Sequence, residues 1–91
     1  MNGRDFMEQE ETFLIVHKAK YAQGDKFCFA ELDEDESGNT VHSLTSCDRA
    51  SRFPMEDLAR NTLAGSAFRF EGPENYEVRR FNMRVFAHEI V

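Results

Sequence analysis

A short apolar run near the start of the chain, Phe13-Leu14-Ile15-Val16, constrains the fold more than any other feature of the sequence. Successive side chains of a β-strand point to opposite faces of a sheet, so a strand built on this run is apolar on both faces. Both faces must then be covered, which predicts that the strand over Thr12–Lys20 lies inside a sheet with packing on each side. Because the chain has 91 residues, it has room for one sheet and one core around that strand.

The remaining apolar patterns predict further strands around a single helix. The strands are predicted over residues 26–32, 40–44, 66–71 and 76–90, and the first two of these form a hairpin. The helix is predicted over Pro54–Ala64, because Pro54 suits a first helical turn and apolar residues recur there at helical spacing. Its predicted buried stripe is Met55, Leu58, Ala59, Thr62 and Leu63. The order β-β-β-α-β-β predicts an α+β fold in which one helix packs on an antiparallel sheet of about five strands.

The ends of the chain and its cysteines bear on domain organisation and location. Residues 1–11 are polar and acidic without an apolar period, and we interpret them as a flexible lead-in to one α+β domain over residues 12–91. We expect no membrane contact and no secretory signal, because no apolar run approaches the length of a membrane span. Two cysteines, Cys28 and Cys47, are too few for a disulfide framework, so we expect reduced thiols and a cytoplasmic location.

Negative charge is concentrated in the first half of the chain. The formal net charge is −6, and the first 48 residues carry four Lys or Arg against eleven Asp or Glu. The densest acidic segment lies at the tip of the predicted hairpin and contains Glu31, Asp33, Glu34, Asp35 and Glu36. Such a tip speeds encounter with a basic partner and can enter a Lys- and Arg-lined groove that otherwise holds nucleic acid. The alternative interpretation is a solvated tip that serves only solubility.

The basic residues of the second half are all arginines. Four of them lie on the last two predicted strands and form a candidate basic surface: Arg69, Arg79, Arg80 and Arg84. A guanidinium group binds phosphate or carboxylate through two parallel hydrogen bonds, and aromatic residues on the same strand would add stacking surface for bases. The alternative interpretation is internal pairing of these arginines with Glu71, Glu74, Glu77 and Glu89.

Motifs for catalysis or metal binding are incomplete. The segment Asp33–Gly38 matches the first half of a calcium loop, but Leu44 stands where a bidentate Glu is needed and the flanks are predicted strands. A Cys–His pair of Cys47 with His42 or His88 lacks a neighbour that would lower the pKa of the thiol. The histidines and cysteines also lack the short spacing of zinc sites, and the sequence has no phosphate loop or nucleophile elbow. We therefore expect no enzymatic activity, no metal or cofactor and no small-molecule substrate.

One known class is similar to this chain in size, acidic balance and absence of a catalytic motif. The acidic segment that carries the resemblance is Leu32-Asp33-Glu34-Asp35-Glu36-Ser37. With it the chain resembles the small phage-encoded anti-CRISPR proteins, in particular inhibitors of the type I-F surveillance complex. The resemblance implies a non-enzymatic protein that binds the Cas subunits of that complex, in the cytoplasm of an infected bacterium, and prevents target DNA recognition. The arginines would also permit contact with the guide RNA.

Three functional hypotheses follow from these observations. The leading one is a non-enzymatic binding protein that docks on a protein or ribonucleoprotein complex, with Cas proteins and crRNA as its most specific form. The second is a small RNA- or single-strand-nucleic-acid-binding module that uses the Arg-bearing sheet face. The third is a small metal-dependent or cysteine enzyme. The negative net charge disfavours a general DNA-binding role, since such proteins carry a basic excess.

Overall fold

The computed structural model describes residues 7–69 and 72–86. Within them the chain forms four β-strands and two α-helices, with short 3₁₀ turns between some of them. The strands are β1 Met7–His17, β2 Phe29–Glu34, β3 Thr40–Thr45 and β4 Tyr76–Phe86. The α-helices are α1 Lys18–Ala22, between β1 and β2, and α2 Glu56–Leu63, between β3 and β4. The 3₁₀ turns are Cys47–Arg49, Ser66–Phe68 and Pro73–Asn75.

The strands form one antiparallel sheet in the order β3-β2-β1-β4. The α+β class and the β2–β3 hairpin are confirmed, but the described residues form four strands and two α-helices rather than about five strands and one helix. The additional helix is α1, and the difference in strands lies at residues 66–71, because Ser66–Phe68 is a 3₁₀ turn and residues 70 and 71 lie outside the described part. Local bonds from the Phe68 N–H to the Gly65 carbonyl and from the Arg69 N–H to the Ser66 carbonyl close this turn. The turn inserts the fully buried Phe68 ring into the core.

Both faces of β1 are covered, as the apolar run predicted. On one face Phe13 and Ile15 join the cluster beneath α2, which also contains Ala30, Ala59, Phe68 and Tyr76. On the other face Leu14 and Val16 join a second cluster with Cys28, Phe29 and Ala50. The central strand therefore anchors two small cores, one on each side of the sheet.

The sheet is split between its two inner strands. β1 and β2 pair where β1 ends and β2 begins, and they then diverge. Residues 51–53 fill the gap: the backbones of Phe53 and Phe13 exchange hydrogen bonds of 2.9 and 3.0 Å. Ser51 serves β2, since its N–H donates to the Ala30 carbonyl at 3.1 Å and its hydroxyl accepts from the Leu32 N–H at 2.8 Å. This wedge satisfies backbone groups that the divergence of the strands would otherwise leave unpaired.

β1 starts and ends earlier than predicted. It begins at Met7, so residues 7–11, interpreted above as a lead-in, pair with β4. It ends at His17, so residues 18–20, predicted as strand, are the first turn of α1. His17 caps that helix, because its Nδ1 accepts a hydrogen bond from the Lys20 N–H at 3.3 Å. The Lys and Ala residues that follow are good helix formers, which outweighs the strand pattern before them.

α2 buries a narrower stripe than its helical spacing predicted. Ala59 is fully buried and Leu63 partly buried, but Met55 is 58% exposed and Leu58 is 46% exposed. The helix begins at Glu56, which leaves Met55 as the residue before the first turn. A short helix that meets the sheet through the methyl group of Ala59 lies close to it, so the larger side chains beside Ala59 are displaced to the flank.

The two edge strands meet across the α2 face of the sheet. His42 on β3 and Tyr76 on β4 are hydrogen bonded, with 2.9 Å between the His42 Nε2 and the Tyr76 hydroxyl. The sheet must curl for this contact, because two strands lie between β3 and β4. Phe68 fills the curl, with the His42 ring stacked on it at 4.1 Å and the Tyr76 ring against its edge at 5.0 Å.

Candidate functional site

The acidic hairpin tip is a tight, hydrogen-bonded loop. The Asp35 N–H donates to the Asn39 carbonyl at 2.9 Å, and the Gly38 N–H donates to the Asp35 carbonyl at 3.0 Å. Gly38 has a φ of 83°, a left-handed conformation that glycine adopts without strain. This is the geometry of a three-residue hairpin loop, so the tip presents its side chains from a defined backbone.

The Asp35 carboxylate belongs to the turn. Its Oδ1 accepts the N–H groups of Ser37 and Asn39, each at 2.9 Å. The backbone hydrogen bond from Asn39, with support from Ser37, lowers the pKa of this exposed carboxyl. Asp35 is therefore charged but already occupied within the loop, and it organises the site more than it offers itself to a partner.

The other acidic side chains project in different directions. Glu31 and Asp33 lie on one face of β2 and Glu34 on the α2 face, since side chains alternate along a strand. Glu31 is 4.0 Å from Arg49, and the Asp33 carboxylate accepts the Glu34 N–H at 2.8 Å. Glu34 and the tip residue Glu36 are exposed, and neither carboxylate has a partner among the described residues. These two carboxylates are the ones best placed to meet a basic partner.

An open cleft adjoins the hairpin on the α2 face. Leu32 and Thr40 line its outer part, beside the Asp33 and Glu34 carboxylates. The same two residues line its inner part, a space of about 290 Å³ that reaches Thr62 of α2 and the loop after it.

Apolar side chains of α2 lie on the same flank of the helix as Thr62, which lines this cleft. Leu58 lies one helical turn before Thr62 and Met55 about two turns before it, so all three share one flank of the helix. About half of the Leu58 and Met55 side-chain surface is exposed. The result is an acidic and apolar surface, formed by Glu34, Glu36, the cleft and the exposed flank of α2.

The structure does not gather the four candidate arginines. Arg69 lies beside the hairpin tip, where it lines a second cleft of about 420 Å³ together with Asp35. Arg79 and Arg80 are consecutive residues of β4 and point to opposite faces of the sheet. Arg84 lies further along β4 at the register position opposite Gln9.

Two of these arginines have internal partners. The Arg79 Nη1 donates to the Glu77 Oε2 at 2.6 Å, and its guanidinium group lies 4.6 Å from the centre of the Tyr21 ring. The Arg80 guanidinium is 3.5 Å from the Glu11 carboxylate. The pairing of Arg79 with Glu77 is one of the internal pairs that the sequence left open as the alternative to a basic surface.

A basic and aromatic end of the molecule was not predicted. α1 follows β1 and residues 26–28 precede β2, so Lys18, Lys20 and Lys26 lie at the end of the sheet opposite the acidic tip. Phe27 is 59% exposed there, and its N–H is held by the Asp25 carboxylate at 2.9 Å. The signal was present in the sequence, because every lysine of the chain lies between positions 18 and 26. Charge is thus separated along the strand direction, with the acidic tip at one end of the sheet and the lysines at the other.

The titratable side chains of the core are buried or hydrogen bonded within the protein. Burial raises the pKa of the Cys28 thiol and the nearby Asp25 carboxylate raises it further, which is opposite to the activation of a nucleophile. The two His42 ring nitrogens are engaged by the Ala67 carbonyl and the Tyr76 hydroxyl. Among the described residues, no group of three or more His, Cys, Asp or Glu is arranged to hold a metal ion. No helix in that part of the chain has the length and apolar character needed to cross a membrane.

Comparison with known proteins assigns no function to this chain. The chain matches no protein-family model, no curated protein and no solved structure.

Proposed function

We propose that this chain is a non-enzymatic binding protein whose acidic hairpin docks on a Lys- and Arg-lined surface of a protein or ribonucleoprotein complex. The observation that carries the proposal is the placement of the unpartnered Glu34 and Glu36 carboxylates on a tight loop beside an exposed apolar flank. A partner surface that offers basic side chains around an apolar one fits this combination.

The two parts of the surface make different contributions to binding. Carboxylates at the tip accelerate encounter with a basic partner and select against acidic ones. Affinity needs buried apolar contacts as well, and Leu58 and Met55 provide large side chains that are only partly packed in the free protein. The hydrogen-bonded loop reduces the entropy lost on docking, because its backbone is already ordered.

The most specific form of the proposal comes from the resemblance to anti-CRISPR proteins. In that form the partner is a type I-F surveillance complex, made of Cas proteins and crRNA in a bacterial cytoplasm, and docking prevents target DNA recognition. The positive groove in which such a complex holds nucleic acid is a surface of the required chemistry. The alternative of an RNA- or single-strand-binding sheet gains no support from the arginines, since they are dispersed and two of them have carboxylate partners.

The proposal is tested by reversing charge at the tip without replacing the residue that holds the turn. Glu34→Lys with Glu36→Lys reverses the two unpartnered carboxylates and leaves Asp35 in place. The matched control is Asp48→Lys with Glu74→Lys, which makes the same change in net charge at two exposed positions outside the hairpin tip and α2. Binding of each variant to a purified type I-F complex loaded with crRNA is measured by biolayer interferometry, and circular dichroism checks the fold.

We expect the tip variant to bind at least about tenfold more weakly than the wild type, while the control binds like the wild type. An equal loss of affinity in both variants would show that only net charge matters, and the hairpin would then have no specific part in binding. If the wild type does not bind that complex, affinity capture is run from a bacterial lysate with the same pair of variants. A partner lost with the tip variant and kept with the control supports the general form, and capture of the same proteins by all three chains contradicts it.

A further inference from the structure

The outer edge of β4 carries backbone groups that the described chain does not use. β4 is an edge strand, bonded on its inner side to β1. Phe13 of β1 directs its N–H and C=O toward Phe53, so Arg80, which faces Phe13, does not bond to it and directs its own groups outward. Alternation along the strand places the groups of Val78 and Asn82 outward as well. None of these outward groups has a hydrogen-bond partner among the described residues.

We propose that two copies of this chain pair through their β4 edges, antiparallel and centred on Val78, and so join two four-stranded sheets into one. A second copy is the natural occupant because an edge strand is complementary to itself under a two-fold axis. In this arrangement Val78 of each copy exchanges two hydrogen bonds with Val78 of the other, and Arg80 faces Tyr76, whose N–H is already bonded to the Pro73 carbonyl of its own chain. The surface lies at the opposite edge of the sheet from the acidic hairpin, so the inference is independent of the proposed function.

Charge selects the register. Residues equally distant from a two-fold axis face each other in an antiparallel pair, so centring on Val78 places Glu77 of each copy opposite Arg79 of the other. Opposite charges at facing positions stabilise a strand pair by about 0.2–1 kcal/mol each, and like charges destabilise it. The Val78 register provides two such favourable pairs.

Other registers of the same strand lack this match. Centring on Glu77, Arg79 or Arg80 places a charged side chain opposite its own copy, and centring on Asn82 places Arg80 opposite Arg84. Centring on Phe81 brings no charged residues opposite one another. The Val78 register is thus the one in which the arginines of the edge promote pairing instead of preventing it.

Glu77 and Arg79 already interact within one copy. Their hydrogen bond of 2.6 Å joins them along the strand, on the face where Arg79 also lies over Tyr21. Their backbone groups point toward β1, so across the two-fold axis they form close, non-hydrogen-bonded positions with Cα atoms about 4.5 Å apart. Four charges of alternating sign then form a compact network, in which each arginine lies between two glutamates.

The paired segment is short, which sets the expected strength. A few residues of edge strand bury less area than the roughly 1,200 Å² typical of stable complexes, so the dimer should form only at high protein concentration. Salt should weaken it further, because exposed charge pairs are screened within about 10 Å at moderate ionic strength.

The first experiment uses the unmodified chain. Sedimentation velocity over a wide concentration series should show a monomer–dimer equilibrium that weakens as salt is added. Hydrogen exchange, measured at low and high concentration, should show protection that grows with concentration at the outward Val78 amide. The inward Arg79 amide should be protected at both concentrations, because it bonds to β1. A chain that remains monomeric up to millimolar concentration, or Val78 exchange independent of concentration, overturns the proposal.

The second experiment tests the register with charge reversal. Glu77→Arg makes both facing pairs positive and Arg79→Glu makes both negative, so each variant alone should dimerise roughly tenfold more weakly than the wild type. Mixing the two variants restores an opposite pair at each facing position, so the mixture should form a heterodimer about as strong as the wild-type dimer. If the mixture associates no better than its components, the Val78 register is wrong. Circular dichroism of each variant verifies folding, and the wild-type experiment stands should one variant not fold.

Discussion

Some single residues in this fold make structural hydrogen bonds that the sequence around them does not predict. Ser51 is an example, since its hydroxyl accepts the Leu32 N–H at 2.8 Å in the gap between β1 and β2. No local pattern marks this serine, because the strand edge that it satisfies is distant in the chain. Asp35 is a second example, since one carboxylate oxygen accepts two backbone N–H groups and holds the acidic tip in shape.

We predict that Ser51→Ala destabilises the protein by about 1–3 kcal/mol, because it leaves the partly buried Leu32 N–H without an acceptor. Ser43→Ala is the matched control, since Ser43 is an exposed residue of β3. Urea unfolding of both variants, followed by circular dichroism, measures the difference. Equal midpoints for the two variants would show that the wedge hydroxyl contributes nothing.

Asp35 makes the stability of the hairpin depend on pH. Hydrogen bonds to the charged carboxylate lower its pKa in the folded chain. Its contribution is therefore fully present above the ordinary pKa of an aspartate and is lost as the pH falls through the lowered value. Asp35→Asn retains an oxygen acceptor without the charge, so the variant should be less stable than the wild type at neutral pH. The gap should close in strong acid, and a gap that stays constant across an acid series of urea unfolding curves would contradict this assignment.

At the scale of elements, local pattern determined what could be predicted. The central position of β1 and the β2–β3 hairpin follow from side-chain alternation and turn residues, both of which are properties of neighbouring positions. Residues 7–11 show no apolar period yet form strand, because their register with β4 is made by the backbone. Residues 66–69 have the alternation of a strand but form a 3₁₀ turn. Burial of Phe68 in the curl of the sheet outweighs the hydrogen bonds that an additional edge strand would make. The dispersal of the arginines depends on these distant pairings in the same way.

α2 offers a test of which helix positions matter for packing and which for binding. Leu58→Gln should leave the free energy of unfolding within about 0.5 kcal/mol of the wild type, because Leu58 is 46% exposed. Ala59→Leu should destabilise by about 1–3 kcal/mol, because Ala59 is fully buried against the core and a larger side chain overpacks it. Thermal and urea unfolding check both values. If the proposed docking surface is correct, Leu58→Gln also weakens partner binding, and a variant that unfolds easily but binds normally would instead assign Leu58 to the core.

At the scale of the whole molecule, the two edges of the sheet are treated differently. The β3 edge is tied inward, because the His42 side chain contacts both the Ala67 carbonyl and the Tyr76 hydroxyl. The β4 edge shares the Tyr76 contact at its start, but further along it the outward backbone groups of Val78 have no partner among the described residues, and these are the groups proposed to pair with a second copy. A dimer built this way would carry its two acidic hairpins at the far ends of one continuous sheet. It could therefore engage two basic sites on one assembly and gain avidity without new contacts.

The contact between His42 and Tyr76 holds the curl of the sheet, and its strength can be measured directly. Tyr76→Phe removes the hydroxyl at 2.9 Å from the His42 ring, and His42→Phe keeps a ring to stack on Phe68 while removing the nitrogen atoms. A double-mutant cycle on the free energy of unfolding isolates the pair from the separate costs of each change. We expect a coupling energy of about 0.5–1.5 kcal/mol, the usual net value of an intramolecular hydrogen bond. Because the two residues stand on opposite edge strands, coupling through their hydrogen bond or through Phe68, which both rings contact, requires that the sheet is curled, and strictly additive effects would mean that the edges do not meet.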